Sequence, residues 1–107
     1  MQLGLFPLPL FLLPGGVTQL RIFEPRYVRL VKESMADNRG FILAMKEGDA
    51  VCTFGTHVSI IDFETLPDGL LGVTIKGMAR VKLSDIVQEK DGLWVGEAES
   101  LPDWRSS

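Results

Sequence analysis

A proline divides the stretch LRIFEPRYVRLVKESM, Leu20 to Met35, into two periods that no single element can hold. Before it, from Val17 to Ile22, Gln19 and Arg21 alternate with Leu20 and Ile22, as a half-buried strand requires. After it, Tyr27, Leu30, Val31, Ser34 and Met35 recur at i, i+3, i+4, i+7 and i+8 and form one helical stripe, with Arg26, Arg29, Lys32 and Glu33 off it. Pro25 suits the first helical turn, where its missing N–H would have no partner, and its ring keeps Glu24 extended. The chain must therefore turn a strand-to-helix corner at Phe23-Glu24-Pro25. Asp37-Asn38-Arg39-Gly40 closes the helix, with Asn38 or Gly40 placed to take a left-handed C-cap conformation.

The remaining pattern is strand-like. Pro7 and Pro9 remove ladder donors, so Leu3 to Leu13 is expected as two short extended pieces at a sheet edge, shielding it from indiscriminate pairing. Pro14-Gly15-Gly16 then turns the chain. Further strands are expected at Phe41–Met45, Thr56–Glu64, Leu70–Lys76, Ala79–Val87 and Leu93–Leu101. The turn chemistry between them lies at Glu47-Gly48-Asp49, Leu66-Pro67-Asp68-Gly69, Lys76-Gly77-Met78 and Lys90-Asp91-Gly92. Several short strands with one helix predict a mainly β fold, a small and largely antiparallel barrel. The 107 residues hold one domain, 1–107, with a real core, and are too few for two.

Composition narrows the function by exclusion. A net charge of -3 with scattered basic residues disfavours nucleic acid, whose binders carry a basic stripe. Cys52 is the only cysteine, so no internal disulfide forms, a reducing compartment is expected, and the thiol reads as a small hydrophobe. The opening MQLGLFPLPLFLLPGGV is apolar, yet Pro7, Pro9 and Pro14 interrupt it and no basic flank precedes it. It fits neither a signal peptide nor a membrane span, and a cytoplasmic location is expected.

No catalytic pattern emerges. His57 is the only histidine, alternating with Val58 and Ile60 on a strand, and a nucleophile lacks a second candidate base. One His and one Cys do not make a zinc site, so neither metal nor cofactor is expected. Gly72 to Met78 has the glycine spacing of a phosphate loop, with Met78 and Ala79 where Lys and Ser/Thr are required. Asp62/Glu64 and Glu97/Glu99 share strand faces and read as solvated surface.

Three blocks carry a family resemblance: FPLPLFLLPGGVTQLRIFEPRY at 6–27, GTHVSIIDFETLPDG at 55–69 and VTIKGMARVKL at 73–83. Their order and spacing resemble the N-terminal domain of Lon-type ATP-dependent proteases and the small proteins built on it. The resemblance implies a half-open, PUA-like pseudobarrel of about six strands with one packed helix. It also implies a domain that captures substrate polypeptide and helps subunits assemble, without the ATPase and peptidase machinery of later domains. The family's helical C-terminal extension is expected to be absent, since the chain stops soon after Asp103-Trp104.

The function implied is a non-enzymatic peptide-recognition module, working through an apolar groove or by strand addition at a barrel edge. The alternatives are self-association or docking to a protease or unfoldase subunit, and, on PUA-like analogy, RNA binding. The expected partner is unfolded or extended polypeptide. In this reading Tyr27 anchors the helix, Glu24 meets the helix dipole or pairs with Arg21 or Arg26, and Arg26 and Arg29 flank the groove. Arg21, Glu24, Arg26 and Arg29 are thus the candidate surface.

Overall fold

The computed structural model describes residues 2–8, 12–48 and 50–101. The Pro9 to Phe11 part of the expected edge segment, Asp49 of the first turn and the Asp103-Trp104 tail lie outside the described residues. Strands β1 (Gln2–Leu8) and β2 (Val17–Ile22) precede helix α1 (Pro25–Asp37), and β3 (Phe41–Glu47), β4 (Ala50–Thr65), β5 (Leu71–Gln88) and β6 (Trp94–Ser100) follow it.

The six strands form one sheet in the order β2-β5-β4-β3-β1-β6, and β6 returns to pair with β5. A ring therefore closes through β5, β4, β3, β1 and β6. β2 stands outside that ring, on the part of β5 that β6 does not reach: β2 pairs with Leu71 to Lys76, and β6 with Val81 to Gln88. One half of the sheet is closed and the other open, a half-open pseudobarrel and not a regular barrel. Register shifts at His57/Val58 and Ile60/Asp62 in β4, and at Ala44/Lys46 in β3, bend the long strands enough to curl.

Local chemistry misplaces three features. The strands expected at Leu70–Lys76 and Ala79–Val87 are a single β5, and Lys76-Gly77-Met78 is not a turn. Gly77 is where the turn at residues 13–16 lies on the sheet: its N–H donates to the Gly16 oxygen and its oxygen accepts from the Gly15 N–H, both at 2.8 Å. A Cβ there would stand 2.5 Å from the Leu13 oxygen, so the glycine serves close backbone approach. β1 is an edge only in part. Gln2 to Leu5 pairs with antiparallel β6 and Leu5 to Leu8 with parallel β3, so the two neighbours overlap at Leu5. Pro7 falls beyond the β6 pairing, where a missing donor is tolerated. β4 also starts at Ala50, earlier than the expected Thr56.

The core has two parts. Phe6, Leu20, Ile22, Phe41, Val58, Val73 and Ile75 pack beneath α1, and Leu3, Leu5, Ile42, Ala44, Val81 and Leu83 fill the closed half. β3 lies between the two, with Phe41 and Leu43 facing one and Ile42 and Ala44 the other, which explains its unbroken apolar run. Leu30, Val31 and Ser34 are the buried face of α1, and Ser34 Oγ donates to the Leu30 oxygen at 2.7 Å. Each large apolar side chain so buried contributes about 1.5–3 kcal/mol before entropy is subtracted. Tyr27 stacks on Phe6 with ring centroids 4.2 Å apart, the anchor expected of it. Glu24 is extended, Pro25 opens the helix, and Asn38 closes it at φ 53°, ψ 37°. Among the described residues no helix is long and apolar enough to cross a membrane.

Candidate functional site

The corner after β2 brings three of the four candidate residues together. Arg26 Nε donates to Glu24 Oε2 at 3.0 Å, its Nη1 donates to the Gly92 oxygen at 3.1 Å, and its guanidinium lies 4.9 Å from the Tyr27 ring centroid. Arg29, one helical turn on, meets Glu33 at 2.8 Å, Glu89 at 2.7 Å and Asp91 at 2.9 Å. The two arginines thus tie α1 to the β5–β6 turn. Arg21 stands apart: it pairs with Asp68 in the β4–β5 turn and not with Glu24.

The charges respond to this arrangement. Glu33, Asp91 and Glu89 hold the Arg29 guanidinium well above its ordinary value. The Arg29 hydrogen bond, followed by the Leu93 amide, lowers the Asp91 carboxyl. A carboxylate whose folded value lies below its unfolded one adds stability above about pH 4, and loses it as pH falls through the folded value. The stability difference between the native protein and Arg29→Gln is therefore expected to shrink in thermal unfolding as pH drops from about 5 to about 2. A difference that stays constant over that range would show that the cluster is not coupled to folding.

Beside this cluster the surface turns apolar. Phe23, 68% exposed, forms a groove with Pro25 and Val28, and Arg29, Lys32 and Glu33 are its rim. A second groove lies between the end of α1 and β4, where Met35, Ile61 and Phe63 are 42%, 53% and 53% exposed. Val28, Lys32 and Met35 stand at i, i+4 and i+7, so both grooves follow one flank of the helix, with about 10 Å between Val28 and Met35. Sequence reasoning singled out the arginines and missed Phe23, Ile61 and Phe63. The signal was present in FEP and DFE, bulky aromatics set against carboxylates at element ends.

Little else on the surface suggests chemistry. His57 Nε2 lies 2.6 Å from the Arg39 oxygen and braces the α1–β3 connection. Cys52 is half-buried. Among the described residues no group of three or more His, Cys, Asp or Glu is placed to hold a metal ion. What the surface offers is apolar contact with a charged rim.

Comparison with known proteins agrees with this architecture. Residues 2–107 match the ATP-dependent protease La (LON) substrate-binding domain. The Lon protease of Azorhizobium caulinodans is 29% identical over 98 residues, which covers 84% of this chain and 11% of the relative. That of Brevibacillus choshinensis is 25% identical over 99 residues, covering 84% and 13%. The chain thus spans about an eighth of these curated relatives or less. Among solved structures, a Lon N-terminal domain protein from Xanthomonas campestris superposes with a TM-score of 0.89 at 33% identity, covering 95% of this chain and 60% of that one. The N-terminal domain of the Mycobacterium avium complex Lon protease shares the fold, with a TM-score of 0.81 at 13% identity, covering 96% and 56%. With a family match along almost its whole length and the same curled sheet, this chain belongs to the Lon substrate-binding domain family.

Proposed function

We propose that this domain is a non-enzymatic module that captures extended or unfolded polypeptide along the exposed flank of α1. The observation that carries the reading is the set of large apolar side chains, Phe23, Met35, Ile61 and Phe63, left in water beside the helix of a Lon substrate-binding domain. Solvent-exposed apolar surface of this kind, rimmed by charge, marks interaction sites. Arg29, with Lys32 and Glu33, supplies the polar rim at the Phe23 end, while the Arg26–Glu24 and Arg21–Asp68 pairs lie at the corner outside the groove lining. The apolar groups supply affinity.

The test is a backbone amide NMR titration with reduced, carboxymethylated lactalbumin, an unfolded and apolar-rich chain. Resonances of α1 and of β4 beyond Val58 are expected to move. Phe23→Ser combined with Phe63→Ser is expected to weaken binding about fivefold or more, on the order of 1 kcal/mol. Unfolding free energy should meanwhile change by less than about 1 kcal/mol, since both side chains are largely exposed. A well-dispersed spectrum in which nothing moves at high polypeptide excess would overturn the proposal.

Docking to another subunit is favoured by a separate observation. Leu13, Val17 and Met78 are exposed around the turn that rests on Gly77, away from α1. Light scattering across a concentration series tests whether this patch associates copies of the chain.

A further inference from the structure

β4 is longer than the strand that covers it. β3 pairs with β4 from Ala50 to Val58 and no further, while β5 follows the other edge to Thr65. From Ser59 to Thr65 β4 therefore has, among the described residues, a hydrogen-bonded strand on one edge only. An open edge presents N–H and C=O groups that another extended chain can pair with. The groove beside this edge is lined by Ser59 to Phe63 on one side and, on the other, by Ser34 and Met35 of α1, its C-cap Asn38 and Gly40. It is a slot with the β4 edge as one wall, and a largely small and polar second wall on which Met35 is the apolar contact.

The two faces of this edge differ in charge. Phe63 is in register with Val73, and Val73 with Leu20, both buried, so Phe63 lies on the inner, helix-side face. Asp62 and Glu64 flank it in sequence and lie exposed on the outer face. Among the described residues, Asp62 is the one charged residue lining the groove. Its Oδ1 accepts the Phe63 N–H at 2.9 Å, so the carboxylate covers a donor of its own strand. The register shift between Ile60 and Asp62 further blunts the edge.

We infer that Ser59–Thr65 takes an added strand: an extended segment of about six residues in which apolar and basic residues alternate. The inference rests on the polypeptide-recognition reading and specifies its mode and its substrate class. Apolar side chains of the added strand sit beside Phe63 and Met35, and basic ones sit beside Asp62 and Glu64. A carbonyl of the segment takes over the Phe63 amide, which frees the Asp62 carboxylate to meet a cation. The segment runs antiparallel to β4 and continues the line of β3.

Four ten-residue peptides separate the outcomes: alternating valine and lysine, the same sequence N-methylated on its odd or on its even residues, and alternating valine and glutamate. Strand addition uses the N–H groups of one edge of the peptide only. One methylated form is expected to lose at least tenfold in affinity, while the other stays within about twofold of the parent. Amides within Ser59–Thr65 should gain protection from hydrogen exchange when the parent peptide is bound. Asp62→Lys should reverse the charge preference, favouring alternating valine and glutamate over valine and lysine. Equal binding by both methylated forms would overturn strand addition and leave groove capture standing. Failure of the lactalbumin as well as every peptide to bind would remove both. Protection of the same amides that grows with protein concentration, with no peptide present, would overturn the inference in favour of a second copy of the chain.

Discussion

Phe41→Ala is expected to lower the unfolding free energy by about 3–5 kcal/mol, a large part of the roughly 5–15 kcal/mol that holds a domain of this size. Phe41 is fully buried where β3 begins, packs in the cluster beneath α1, and sets its ring 6.4 Å from Phe6, which in turn stacks on Tyr27. Removing the ring opens a cavity between helix and sheet that the closed strands cannot fill. Guanidinium unfolding followed by circular dichroism should show a lower midpoint with unchanged slope, and Phe41→Leu should retain most of the lost stability. An alanine variant within about 1 kcal/mol of the native protein would mean that this core collapses more freely than its packing implies.

Gly40→Ala is expected to cost on the order of 3 kcal/mol, an unusual effect for a single methyl group. Two causes combine. Gly40 stands at φ 71°, where an L-residue loses about 1–2 kcal/mol, and a Cβ there would overlap the Val58 carbonyl oxygen. The colliding atom belongs to the backbone of β4, so no rotamer change relieves it. Gly69 provides the control: its φ is 85°, but no atom lies within 4 Å of a Cβ built there. Gly69→Ala should therefore show the conformational cost alone, and equal losses at the two positions in the same denaturation experiment would refute the collision.

How far the sequence foretells these features depends on the distance over which each is decided. The corner at Pro25, the helical stripe and the left-handed Asn38 cap are settled within a few residues, and all were legible. The same local reading makes Gly77 a turn, because a glycine between two strand-like runs is good turn chemistry. Its actual partners, Gly15 and Gly16, come from the other end of the chain's first connection. β1 was legible as extended, whereas its place between β3 and β6 depends on pairing with residues made much later.

The candidate site divides in the same way. Helical spacing puts Arg26 and Arg29 off the apolar stripe, and nothing in that spacing discloses that Arg29 will meet Asp91, 62 residues away. Amphipathic periodicity identifies which side chains share a face. It does not reveal where coverage stops, and so Met35 joins the stripe in sequence but remains exposed in the fold. Phe63 shows the same limit on a strand, in register with buried Val73 yet reaching past the helix that covers its neighbours.

The pairing of Gln2–Leu5 with Trp94–Glu97 has a consequence for synthesis. On the ribosome β1 emerges first, and β3 can join it once α1 is out, but its other edge must wait until β6 has been translated. At about 5–20 residues per second, several seconds separate the two strands. For that interval the ring is incomplete and the flank of β1 that β6 will cover is open to other nascent chains. If the domain captures unfolded polypeptide as proposed, it passes through its own birth in a state that such a domain would recognise.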